Sequence, residues 1–184
     1  MINDTMILTA LYTQWILILL LSIGVITLFK KHLDIKLGMR HHGIEAGTFF
    51  PISSIPSLSE NNRQIAIQQA QPTIFIMTAI GCGACSTLYP CINRVAERNR
   101  NIQFVLMVMG EQQEVIQLAK KYDLSIPVGV LTESMMESLE TTIFPFAYAI
   151  STNHKVIAKG TINTEEHLQL LLESDDFYEI GQTA

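Results

Sequence analysis

TIFIMTAIGCGAC, residues 73–85, decides how this 184-residue chain is read. Thr73–Ile80 is a nearly continuous apolar run of strand length, the pattern of a strand covered on both faces. The run stops at Gly81, and a C-x-x-C follows at once as Cys82-Gly83-Ala84-Cys85. Leu88, Cys91, Ile92 and Val95 then recur at i, i+3, i+4 and i+7, so the cysteine pair opens a helix with one core-facing stripe. A helix N-terminus carries unpaired N–H groups and the positive end of the macrodipole, which together stabilise a thiolate on the first cysteine. Two intervening residues let the second sulfur reach the first. The spacing therefore predicts that Cys82 attacks a disulfide and Cys85 resolves the mixed intermediate. A structural zinc site would want a second C-x-x-C, and the third cysteine, Cys91, stands alone.

Downstream, Ile102–Met109 is a second buried strand, and Val115, Leu118, Ala119 and Tyr122 repeat the helical spacing. Strand, helix, strand, helix reads as a parallel βαβ arrangement. Phe146–Ser151 and Lys155–Lys159 flank Thr152-Asn153-His154 as a β-hairpin. A last helix is expected over Thr164–Ser174, opening at Asn163 with Glu166 completing a capping box. Pro90 falls inside the first helical pattern and should kink it. Pro145 suits the first residue of a strand and is compatible with a cis bond. Cys91, on the apolar stripe, reads as a small buried hydrophobe. The expected fold class is α/β, a central mixed sheet flanked by helices.

Upstream, residues 6–29 hold no charge, whereas residues 30–40 hold Lys30, Lys31, Lys36 and Arg40. As a helix, such a stretch rises about 36 Å, enough for a ~30 Å hydrocarbon core with tilt. A cleaved signal peptide would want a basic start and a small-x-small site, and neither is present. The chain thus divides into a transmembrane anchor over 1–29, a juxtamembrane linker over 30–46, a folded domain over 47–176 and a tail over 177–184. His32, His41 and His42 read as solvated linker residues rather than metal ligands. Residues 47–72 read as an irregular entry with at most short strands. From Ala46 onward the chain carries 8 basic and 14 acidic side chains, and an acidic domain without a basic stripe argues against nucleic acid as a partner.

The C-x-x-C at a helix start, the proline five residues later and the proline opening a late strand resemble the thioredoxin superfamily. Within it, nearly the whole chain is similar to the MauD family of methylamine-utilization proteins, accessory to methylamine dehydrogenase. Three stretches carry this: the anchor running into His42-Gly43-Ile44-Glu45-Ala46-Gly47, the segment Cys82-Gly83-Ala84-Cys85…Leu88-Tyr89-Pro90, and Ala158-Lys159-Gly160-Thr161-Ile162-Asn163-Thr164-Glu165-Glu166-His167-Leu168. The chain differs from the family in having Gly83 where a proline is usual, Gly81 where thioredoxins place an aromatic residue, and no carboxylate on Thr73–Ile80.

The resemblance implies a thioredoxin-like fold behind one transmembrane helix, and a thiol–disulfide oxidoreductase that forms or isomerises disulfides in the methylamine dehydrogenase small subunit. Cys82 would be the nucleophile and Cys85 the resolving thiol. Pro145 would present an edge to the client beside Gly83 and Ala84. No cofactor is implied beyond the redox-active cysteine pair, and no metal. Alternatives from other classes are a redox-inert tethering module, a general disulfide reductase, and a copper carrier using Cys82, Cys85 and His154 or His167. Copper carriers of this fold space their cysteines by three residues. The basic residues that follow the anchor argue for a cytoplasmic domain. The implied client matures outside the cytoplasm, so the expectation is an inner-membrane protein with a periplasmic domain.

Overall fold

A computed structural model of the chain describes residues 2–38, 42–56, 58, 64–67 and 71–173. The chain separates into two units, one ending at His41 and the other starting at His42.

The first unit is one helix, α1 (Ile2–Gly38). Its Leu8–Leu28 stretch has a mean hydropathy of 2.0 and none of it is buried. Those residues rise about 32 Å, so the helix is long and apolar enough to cross a membrane. The helix carries on through residue 38. The start of the linker is therefore helical backbone, since nothing before Gly38 interrupts its propensity.

The second unit opens with two short antiparallel strands, β1 (Ser54–Pro56) and β2 (Gln64–Ala66). It continues as β3 (Thr73–Ala79), α2 (Gly83–Ser86), α3 (Tyr89–Arg98), β4 (Gln103–Met109), α4 (Gln112–Lys121), β5 (Val128–Val130), α5 (Glu133–Ser138), β6 (Phe146–Ile150), β7 (Val156–Thr161) and α6 (Glu165–Leu172). The main sheet has the order β5-β4-β3-β6-β7. β3 pairs parallel with β4 and antiparallel with β6, so the sheet is mixed and β3 lies at its centre. That position explains the unbroken apolar run: alternate residues of β3 serve two cores. Ile74 and Ile76 pack with Cys85, Leu88, Ile92 and Val95, while Phe75 and Met77 pack with Phe50, Ile55, Phe146 and Tyr148.

Two elements, β5 and α5, were not expected from the sequence. β5 is three residues long with Gly129 at its centre, and α5 is six residues long with no buried side chain, so neither has a readable period. The last helix is capped by Thr164, whose side chain accepts the His167 N–H, rather than by Asn163. The domain also begins earlier than expected. Gly43 N–H donates to Glu140 O (2.9 Å), Ile44 N–H donates to the Tyr148 hydroxyl (3.3 Å), and Lys159 Nζ donates to Gly43 O. Gly43 has φ 79°, and a Cβ there would collide with the Tyr148 hydroxyl. Residues 42–46 are thus part of the domain, because backbone polar groups packed on a sheet must be paired. The expected tail, 177–184, lies outside the described residues.

Candidate functional site: a dithiol at the end of the central strand

β3 ends at Ala79 and the chain turns sharply, Cys82 N–H donating to Ala79 O (3.3 Å). Gly81 is the third residue of this turn and has φ 76°, a conformation that glycine adopts without the Cβ penalty. This accounts for a glycine where an aromatic residue is usual in the superfamily. The turn delivers Cys82 to the N-cap of α2, where its Sγ accepts the Cys85 N–H (3.2 Å). α2 spans only four residues, so the sulfur is held by a local N–H rather than by the macrodipole of a long helix. The chain breaks at Thr87–Leu88, and α3 resumes with Pro90 in its first turn. Pro90 therefore does not kink a continuous helix. It starts a new one, where a missing N–H costs nothing.

Cys82 and Cys85 are joined as a disulfide with a Cα–Cα distance of 5.3 Å. Their surroundings differ. Cys82 is half-buried between exposed Gly81, Gly83 and Ala84, whereas Cys85 is fully buried in the core beneath α2. An attacking sulfur therefore has access to Cys82 and none to Cys85. Cys91 is free and buried. Burial pushes its thiol pKa up, with the Glu165 carboxylate adding to the effect and Arg94 partly offsetting it. Its Sγ donates to Leu88 O (3.0 Å), so it behaves as the buried hydrophobe expected of its stripe.

Pro145 follows Phe144 through a cis bond and leads directly into β6. Phe146 pairs with Met77. Pro145 thus lies at the end of β6 that neighbours the exit of β3 toward Cys82. It is buried, and its carbonyl accepts the Ile162 N–H (3.2 Å). That bond, from the residue just after β7, pairs the Pro145 carbonyl within the fold, so an edge offered to a client at this position is that of the Phe144–Pro145 peptide. Phe144, half-buried, is the more accessible residue of the pair.

The 158–168 segment also has a structural place. Ile162 binds Pro145, and Asn163 O accepts the Thr87 hydroxyl (3.2 Å) at the break between α2 and α3. Glu165 pairs with Arg94 (2.9 Å) and Arg98 (3.3 Å) of α3. One short stretch therefore ties Pro145, the dithiol helix and α3 together. The exposed ion pairs add little stability and the backbone bonds fix the geometry.

On the other side of Cys82, toward β4, a cleft of about 510 Å³ opens. Its lining includes Cys82, Gly83, Tyr89, Glu114, Lys121 and Tyr122. The Tyr89 and Tyr122 rings stand 4.9 Å apart, and Lys121 Nζ lies 5.1 Å from the Tyr122 ring centre. The Tyr89 hydroxyl lies inward beside the buried Thr78 hydroxyl. Burial pushes the Tyr89 phenol pKa up. Sequence reading did not single out this wall. Tyr122 counted only as one position of an apolar stripe, although a polar-tipped aromatic at a core position is itself a cue.

The fold and the dithiol at the strand-to-helix turn are those of a thioredoxin, and the thioredoxin family model matches residues 52–154; the chain belongs to that family. It is similar to the methylamine utilization protein MauD of Paracoccus versutus, 28% identical over 134 residues, which is 73% of this chain and 68% of the relative. The MauD proteins of Methylorubrum extorquens, at 28% identity over 73% of this chain and 66% of the relative, and Methylophilus methylotrophus, at 25% over 74% and 65%, are similar in the same way. The matched part is about two thirds of these relatives' length. Among solved structures the fold is similar to StoA from Bacillus subtilis, with a TM-score of 0.56 and 16% identity over 68% of this chain and all of that one. It is also similar to a secreted Mycobacterium tuberculosis disulfide oxidoreductase, with a TM-score of 0.54 and 14% identity over 64% of this chain and 90% of that one.

Proposed function

We propose that this chain is a membrane-anchored thiol–disulfide oxidoreductase of the MauD kind, forming or isomerising disulfides during maturation of the methylamine dehydrogenase small subunit. The observation that carries the reading is the asymmetry of the pair: one sulfur open to attack, its partner buried. A client thiolate attacks Cys82 Sγ, the Cys82–Cys85 bond breaks and Cys85 leaves as the thiolate. A second client thiolate attacks the client sulfur of the mixed disulfide, and Cys82 leaves as the thiolate. The client gains one disulfide, and two electrons pass to the pair. In isomerisation the reduced Cys82 opens a wrong client disulfide and is released when the client closes a different one, with no net electron transfer. Gly83 and Ala84 contact the client beside Cys82, and at Pro145 the contact runs through the Phe144–Pro145 backbone.

Titration of the full chain against dithiothreitol redox buffers tests this. Cys82 and Cys85 are expected to reduce together as a two-electron couple. In the reduced protein at pH 6, Cys82 should alkylate ahead of Cys85, and Cys91 last. A pair that does not reduce, or labels first at Cys85 or Cys91, contradicts the roles.

α1 holds the domain at the inner membrane, and the domain works on the periplasmic side because a disulfide catalyst must share its client's compartment. The four basic residues after the anchor favour the opposite orientation, a bias that large domains override. Alkaline phosphatase fused after Ala184 is expected to be active. An inactive fusion beside a fluorescent cytoplasmic reporter at the same position overturns the periplasmic placement.

A further inference from the structure

The two sides of Cys82 are unequal. Toward β6, Pro145 is buried and its carbonyl is occupied by Ile162. Toward β4 and α4, the surface falls into the cleft walled by Tyr89, Tyr122, Glu114 and Lys121. A polypeptide bonded to Cys82 Sγ that meets the Phe144–Pro145 backbone on one side therefore finds an open cleft for its flanking residues on the α4 side. The two charges in that wall are not equivalent. Glu114 Oε2 accepts the Glu111 N–H (3.3 Å) in the capping box of α4, where the helix N-terminus offsets its charge. Lys121 is exposed, has no carboxylate within ion-pair distance among the described residues, and rests on the Tyr122 ring.

We infer that this cleft seats the client residues flanking the cysteine engaged by Cys82, and that Lys121 with Tyr122 selects an acidic side chain there. The site is a specificity pocket for an acidic cysteine-containing peptide, and it rests on the oxidoreductase reading given above. The two tyrosine rings, inclined at 41° to each other, supply an apolar wall for the peptide stem, and the ammonium supplies the charge contact. Because the domain as a whole is acidic, an acidic preference cannot come from its overall field and must come from a local cation.

The test uses the reduced full chain in detergent and three short peptides. Each carries one cysteine as a mixed disulfide with thionitrobenzoate, flanked by aspartate, by lysine or by neutral residues. Cys82 thiolate attacks the peptide sulfur, a new Cys82–peptide disulfide forms, and thionitrobenzoate leaves as the coloured thiolate, so absorbance reads the rate. The aspartate peptide is expected to react about three- to fivefold faster than the lysine peptide at low salt, with the ratio falling as salt screens the pair. Lys121→Glu should reverse the order. Lys120→Glu, the same charge change on the neighbouring residue outside the cleft, should preserve it. Equal rates in the native chain, an order unchanged in Lys121→Glu, or one equally lost in Lys120→Glu overturns the pocket. Reaction with none of the three peptides overturns the oxidoreductase reading itself.

Discussion

Cys82→Ser is expected to abolish thiol–disulfide exchange, lowering the rate with a dithiol peptide by about a thousandfold or more. Cys82 is the accessible sulfur, held at the N-cap of α2 by the Cys85 N–H, and no other thiol can replace it. Cys91 is buried with its Sγ on Leu88 O, and Cys85 is covered by the core. Cys85→Ser should behave differently. It retains the attacking sulfur but lacks the resolving one, so the mixed disulfide forms and accumulates. Stopped-flow kinetics with non-reducing electrophoresis separates the two. A Cys82→Ser protein that keeps a tenth of the native rate, or a Cys85→Ser protein that accumulates no adduct, contradicts the assignment.

Phe75→Ala is expected to destabilise the domain by about 3–5 kcal/mol, a large share of the 5–15 typical of a whole domain. Phe75 sits at the middle of the central strand with no exposed surface, edge-on to Phe50 at 4.9 Å, and it joins the entry segment to the sheet. Its removal leaves a cavity between Phe50, Met77 and Tyr148 that β3, hydrogen-bonded on both sides, cannot close. Urea unfolding followed by circular dichroism measures the loss. A change under about 1 kcal/mol would mean that this face of the sheet is not a packed core.

How much of this the sequence carried depends on how strong each local signal is. β3, β4, the hairpin and the dithiol junction were legible because buried central strands require long apolar runs, and a C-x-x-C immediately after one is placed by it. The split of the dithiol helix was not. Pro90 predicts a disturbance, but a proline in a helical pattern is compatible both with a kink and with the first turn of a new helix, and the apolar spacing of Leu88, Cys91, Ile92 and Val95 is the same in either case. β5, with Gly129 at its centre, is held by pairing with β4 rather than by any pattern of its own. The true start of the domain has no local signal, because Gly43 and Ile44 are anchored by Tyr148 and Lys159, more than a hundred residues away. Within the site, the cysteine pair was readable from spacing. The occupied carbonyl of Pro145 and the cleft between Tyr89 and Lys121 arise only when α4 and the segment that follows β7 fold beside it.

The most direct test of the account is the identity of the protein caught by full-length Cys85→Ser in cells assembling methylamine dehydrogenase. After acid quenching and alkylation, the account predicts a mixed disulfide between Cys82 and a cysteine of the small subunit, reversed by dithiothreitol and absent when Cys82 is also replaced. A trap that forms at Cys82 without the small subunit, or a small subunit that acquires all its disulfides when both cysteines are serine, would contradict it.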